Sequence, residues 1–490
     1  LYGRNLGIAG SVILNRHDNQ TTASIGVGSQ IVGGSISVTS DSELLGMGFA
    51  GGVLHAGNYG FGFSVADSEV DRQTNAFIGS PAGGGGGSIT STGDLLVEAN
   101  NVGGVYGFAL SGAIQSEELA SSVAPQNTNT ISGVVPSNFA SAGNQGSYGI
   151  AFSGDAAVNR VNNHARAFIH ENAGIDVQRA TVRATDETTV VAAAGSAALT
   201  SKNQSIGLAG SLAYNEVDGS ALAWIQDAQL STGLGDVLVA AERGRASGVW
   251  SATASAALSK GQLAAANNVS LNKASWRTQA NLYDATILAG RDALLLAIDD
   301  SKTVSIAAAA ALQGKVGFGA SFGWNSMTGV TATGIDNSSV DVERHLLLDA
   351  VNRSQIVSAA GSFGSGKNFG FAGTAAINER ESQVESAITE STVVSGSSVT
   401  INAADESSIL SISGAVVAYQ GSGFGGALAI NQLNQSVNAS IDQSDVNADQ
   451  SVSVTANGTA EIKSFAVGVA GQESVGLAVS VAINRLDSIV

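Results

Sequence analysis

The sequence predicts an all-β fold, a β-solenoid built as an elongated rod with about 53 residues per coil, and three observations predict it. A segment of small residues ending in Asn recurs at a near-constant interval. A second apolar marker follows seven of these asparagines after ten residues. Between the markers, apolar and polar residues alternate with the period of two that belongs to strands. The alternative architecture is a stack of antiparallel hairpins, each turned at a Gly-Ser-Gly segment.

The recurring asparagines are Asn15, Asn159, Asn215, Asn272, Asn325, Asn378, Asn431 and Asn484. From Asn272 onward each step is 53 residues; the two steps before it are 57 and 56. The second marker is Ile25, Ile169, Ile225, Leu282, Ile335, Ile388 and Ile441, the expected repeat core. A fixed period of this size is the signature of a stacked repeat, in which no unit buries its apolar face alone. Near the start, the step from Asn15 to Asp67 reads as 52 residues. From Asp67 to Asn159 it is 92, and the surplus falls around Gln115 to Gly149, with Pro125 and Pro136. The expected division is therefore repeats over 1–114, a loop-like insertion over 115–149, and regular repeats over 150–490. The pattern is cut at both Leu1 and Val490. The chain is thus expected to be a fragment whose stack continues, and copies of it to associate end to end.

Within one repeat, Val399 to Asn402 alternates strictly and Ile409 to Tyr419 more loosely. Gly421 to Gly423 reads as a turn, Phe424 to Asn431 as a strand, Val437 to Ile441 as another, and Ser444 to Asn447 as a turn. The Ala-rich stretch Val304 to Leu312 has helical propensity. It aligns with Ile409 to Ala418 in the repeat, so strand is expected. In a parallel stack identical side chains lie about 4.8 Å apart. Asn carries both a donor and an acceptor, so a row of amides can satisfy itself as a ladder. The other readings of these asparagines are a turn that needs left-handed φ and a ligand site.

Composition excludes several function classes. Net charge is −18, and 22 Lys and Arg spread over 490 residues form no nucleic-acid footprint. There is no Cys, hence no disulfide, thiol nucleophile or Cys-type zinc site. The longest apolar run, around Ile306 to Leu312, is far short of the roughly 20 residues of a membrane-spanning helix. Charged residues are 13% and aromatics 5%, whereas Gly reaches 62 residues, so the sheets are built from small side chains.

Strands such as Gly423 to Asn431 (GFGGALAIN), followed by Ala439 to Ile441 and by Ser451 to Ala456 (SVSVTA), resemble the repeats of very large bacterial surface and secreted proteins. These are the filamentous haemagglutinin-like adhesins and the fusobacterial leukotoxin type of β-repeat protein. The resemblance covers nearly the whole chain outside the insertion. It implies a secreted, elongated protein of a Gram-negative bacterium, extracellular or on the cell surface. It implies no site residues, because the shared motif is structural.

His17, His55, His164, His170 and His345 are scattered, and the six-residue spacing of His164 and His170 suits no simple metal pair. Gly83 to Gly87 and Phe363 to Lys367 lack the full pattern of a phosphate loop. No cofactor is expected. Calcium could sit only at acidic positions such as Glu117 and Glu118, Asp299 and Asp300, or Asp445, which otherwise read as a solvated face. The expectation is a non-catalytic structural rod of an adhesin or filament. Its partners are further copies or repeats of itself, and a host or neighbouring cell surface or glycan, with no nucleic acid and no membrane insertion. The alternatives are a receptor-binding or toxin segment acting through 115–149, and a β-helical polysaccharide-degrading enzyme.

Overall fold

The computed structural model describes residues 2–3, 6–80, 87–116, 148–170, 174–419, 421–472 and 475–490, and every regular element among them is a strand. One coil shows the plan. A leading strand Ser398–Asp405 is followed by a second strand Ser408–Tyr419, a long strand Ser422–Asp442 and a closing strand Asp445–Ala448. The first three pair in parallel with their counterparts one coil on: Ser398 with Ser451, Ser408 with Glu461, Ser422 with Val475. The closing strand pairs the same way with the one before it, Asp445 against Thr392. Closing strands form an eight-stranded sheet, and the other three positions merge into a 21-stranded one. Pairing between coils is parallel, so the antiparallel-hairpin alternative does not describe this chain. The architecture is solenoid-like. A 21-residue long strand reaches about 70 Å and each coil rises about 4.8 Å. The described stack is therefore broader than it is tall.

The Ala-rich stretch lies in the strand Lys302–Asp336, where Ala307 to Ala311 pair with Ala360 to Gly364. Tertiary pairing overrides helical propensity there.

Several sequence expectations need correction. Phe424 to Asn431 and Val437 to Ile441 belong to one strand, and Ser422 and Gly423 already lie in it rather than in a turn. The turn expected over Ser444 to Asn447 is the closing strand: Val446 and Ala448 pack against the core while Asp445 and Asn447 face out. The corner is one residue earlier, at Gln443, which adopts φ 48°. Asp227, Asp284, Asn337 and Glu390 occupy the same corner with φ between 44° and 50°. Asp67 does not continue the asparagine column, because Asn15 pairs with Ser68 and Ser68 with Asn159. A slip of one residue turns a strand side chain to the opposite face. Asp67 accordingly points outward, where Arg160 reaches its carboxylate at 3.2 Å. At the insertion, Gln115 ends the strand Asp94–Gln115, and Tyr148 and Gly149 open the strand Tyr148–His170. The rest of it, 117–147, lies outside the described residues, as does nearly all of the glycine run at 83–87.

The main core fills the space between the second half of each long strand, the closing strand and the leading strand. Ile25, Ile78, Ile169, Ile225, Leu282, Ile335, Ile388 and Ile441 stack in one column. Those from Ile78 to Ile388 are buried, and Ile25 and Ile441 are partly so. The closing strands contribute Ile89, Ile175, Leu230 and Ile287, and the leading strands Leu95, Leu295 and Leu346, to the same cluster.

Candidate functional site

The asparagines lie in mid-strand, not in turns, so their backbone needs no left-handed φ. Asn159, Asn215, Asn272, Asn325, Asn378, Asn431 and Asn484 are joined in one chain of amides. Each Nδ2 donates to the Oδ1 of the next at 2.7–2.9 Å. The second Nδ2 proton crosses to the facing second strand. Asn159, Asn215 and Asn272 reach the backbone carbonyls of Val191, Trp250 and Val304 at 2.7 Å. Asn325 and Asn378 instead reach the hydroxyls of Ser305 and Ser358 at 2.8 and 2.7 Å. The ladder thus binds coil to coil and sheet to sheet at once. Ser68 interrupts it, and Asn15 Nδ2, Ser68 Oγ and Asn159 Oδ1 are left without hydrogen-bond partners at the break.

At this column the long strand inverts its pattern. Beyond the Asn, large apolar residues point in and, apart from the buried Arg380, the charged ones point out, as with Ile388 inside and Glu379, Glu381 and Glu385 outside. Before the Asn, the inward positions are Ala, Ser and Gly and the large residues face outward. In Gly423 to Asn431, Gly425, Ala427 and Ala429 point in and Phe424, Leu428 and Ile430 point out. The second strand does the same. Together they form a thin two-layered fin attached to the thicker body. Glycines permit the close approach: a Cβ on Gly62 would sit 2.9 Å from the Gly112 carbonyl oxygen, and one on Gly319 2.5 Å from that of Phe363. Hydroxyls bridge the layers, as in Ser111 with Ser153 and Ser251 with Ser270, both at 2.6 Å. Alanines such as Ala198, Ala257, Ala264 and Ala311 fill the rest. Asp155 is buried among these small residues. Desolvation pushes its carboxyl up to about 6, with the hydroxyls of Ser111 and Ser64 holding it back.

Both outer sides of the fin are apolar. On the second strand, one column runs from Phe49 through Ile306 and Ile412 to Phe465, and another from Val53 through Phe363 and Val416 to Val469. Between them lies a shallow groove of about 700 Å³, floored by Gly195, Ala254, Ala308, Gly361 and Gly414. On the long strand, Phe318, Phe371 and Phe424 form a stacked ridge with ring centroids 4.6 and 5.6 Å apart.

A second buried feature escaped the sequence reading, which took charges as solvated. Asp186, Arg243, Asp299, Asn352 and Asp405 stack in successive coils at the start of the second strand's approach to the core. Arg243 bridges Asp186, and its guanidinium lies 3.7 Å over the Trp276 ring. Arg380 binds the Ser354 hydroxyl; burial pulls its pKa down, while Asp405 and Asp299 pull it back up. Asp405 accepts from Asn352 at 3.1 Å and from the Ser407 backbone at 3.0 Å. Arg72 donates to Asn163 at 2.7 Å and to the carbonyl of Val102 at 2.9 Å. The register was the available signal, since these residues recur at the same 53- to 57-residue offsets as the asparagines.

The remaining candidates do not converge. His55, His164 and His345 hydrogen-bond Ser116, Ser220 and Ser398, and His170 the carbonyl of Ser80. Asp299 is buried with Ser301 N–H on one oxygen, and Asp300 pairs with Arg245 and Arg353. Glu117 and Glu118 lie outside the described residues. Among the described residues no group of three or more His, Cys, Asp and Glu could hold a metal ion, and no helix is long and apolar enough to cross a membrane. No protein-family model, curated protein or solved structure matches this chain.

Proposed function

We propose that this chain is a structural segment of a secreted bacterial surface adhesin or extracellular filament, non-catalytic, in which coils of about 53 residues stack into a stalk. The observation that carries the reading is the in-register parallel pairing between successive coils, held by an amide ladder that runs from Asn159 to Asn484 and commits those side chains to cohesion. Two of the buried carboxylates are likewise committed, Asp186 to Arg243 and Asp405 to Asn352, Ser382 and Ser407, and Asp155 is enclosed between the layers of the fin with no open cleft in front of it. Paired groups of this kind are poor general acids or nucleophiles, which need an accessible lone pair facing a substrate. Such a stack suits a load-bearing spacer, because each added coil adds about 4.8 Å of length without new tertiary design.

The test is immunogold electron microscopy of intact producing cells with antibody raised to this chain, together with protease treatment of those cells. Label on projections outside the envelope, removed by protease, is the expected result. A chain confined to the cytoplasmic fraction overturns the proposal, as does turnover of a polysaccharide by the purified protein.

A further inference from the structure

We infer that the two sides of the fin are self-association surfaces, on which the phenylalanine ridge of one copy seats in the glycine–alanine groove of a second copy. The inference takes only the stacked-coil geometry from the stalk reading, and the two can fail separately. A solvated sheet face normally alternates apolar-in with polar-out. This one reverses the rule on both sides. Leu110 is 52% exposed and Ile306 and Ile412 are each 46% exposed. From tip to asparagine column the fin measures about 30 Å and the stack about 40 Å, so each side offers roughly 1,200 Å². That exceeds both the largest apolar patch of an ordinary monomer, about 300–600 Å², and the roughly 800 Å² per partner of a stable interface.

The shapes are matched as well as the polarity. Ridge and groove both run along the stacking axis, and both repeat once per coil. Phe318, Phe371 and Phe424 therefore meet a floor of Ala308, Gly361 and Gly414 with the same spacing. Face-to-face sheets pack about 10 Å apart, which leaves room for one interdigitated layer of rings. Ridge and groove lie on opposite sides of the same fin. The contact is therefore heterologous and leaves a free ridge and a free groove on each pair, so fins associate side by side without closing. A lipid bilayer fits less well, because lipid-exposed open sheet edges do not occur within it and this stack is not a closed barrel.

The test uses the full chain in sedimentation velocity over a concentration series. A Cβ at Gly361 meets nothing within 4 Å, so Gly361→Glu charges the groove without a steric clash. Phe371→Glu charges the ridge. The wild type should form concentration-dependent oligomers, and the groove variant should associate at least tenfold more weakly while keeping the wild-type circular dichroism. An equimolar mixture of groove and ridge variants should recover a dimer that neither forms alone. A monomeric wild type overturns the inference. So do oligomers that the groove variant leaves unchanged, as end-to-end stacking would give, and wild-type protein that partitions onto phosphatidylcholine vesicles rather than onto itself. Should Phe371→Glu fail to fold, the groove variant alone still decides.

Discussion

The fin and the body are made from the same strands and held together by opposite means. In the body, Ile, Leu and Val columns are removed from water and the outer surface is charged. Burial of such side chains is worth about 1.5–3 kcal/mol each. In the fin the interior is Ala, Ser and Gly, which bury little area, and the layers are joined by hydroxyls and by close backbone contact. Its large apolar residues are on the outside, where they contribute nothing until something covers them. The asparagine ladder marks the border. The difference teaches that a repeat can carry its hydrophobic core and its contact surface on one strand, by inverting the alternation once.

The comparison can be tested by substitution, starting where the effect is largest. Ile335→Ala in the body removes buried methyl groups from a continuous column and should cost about 3 kcal/mol. Urea denaturation with hydrogen exchange should show the loss in the coils on either side.

A pH-dependent effect is expected in the fin. The Asp155 carboxyl has an ordinary value of 3.8 unfolded and about 6 folded. Below about pH 4 it is neutral in both states and costs nothing. As pH rises through 6 the fold must hold a charge that its surroundings disfavour, so stability falls by about 2–3 kcal/mol across that window. Asp155→Asn should abolish the fall, giving a variant more stable than wild type at pH 8 and equal to it at pH 4. Equal stability of the two at pH 8 would show that the buried carboxyl is not desolvated.

At the border, Asn378→Leu severs the ladder and leaves the Asn325 and Asn431 amides partly unsatisfied, at about 1–3 kcal/mol. Protection against exchange should drop in the adjoining coils and stay unchanged at a distance. The smallest effect is a gain. Ser68→Asn would place an amide between Asn15 and Asn159, where three polar atoms lack partners, and should stabilise by about 1 kcal/mol. A thermal unfolding midpoint below wild type would mean that the site has no room for the longer side chain.

Much of this was legible in the residues. The asparagine spacing predicts the parallel stack, and the Ile marker predicts the core column. Alignment between repeats outweighs propensity in the Ala-rich strand. Period-two alternation does not say which parity points inward. Alternation alone therefore leaves the apolar exterior of Phe371 and Ile412 illegible, although both lie on the parity opposite to the inward Asn378 and Ser411. Asp67 was chosen for its likeness to Asn, whereas the 53-residue step from Asn15 selects Ser68. The closing strand reads as a turn because four residues carry too short an alternation and Asp445 and Asn447 favour turns.

Identical rungs create a hazard for a folding chain. If one coil were looped out, Asn would still meet Asn and Ile would still meet Ile, and neither column would register the error. The buried charges would. Looping out the coil of Arg243 lays Asp186 directly on Asp299, and looping out the coil of Asn352 lays Asp299 on Asp405. Two carboxylates about 4.8 Å apart in a dry interior, stripped of their arginine or amide, are heavily penalised. The charged column therefore serves as a serial address, counting coils that the uniform rungs cannot tell apart.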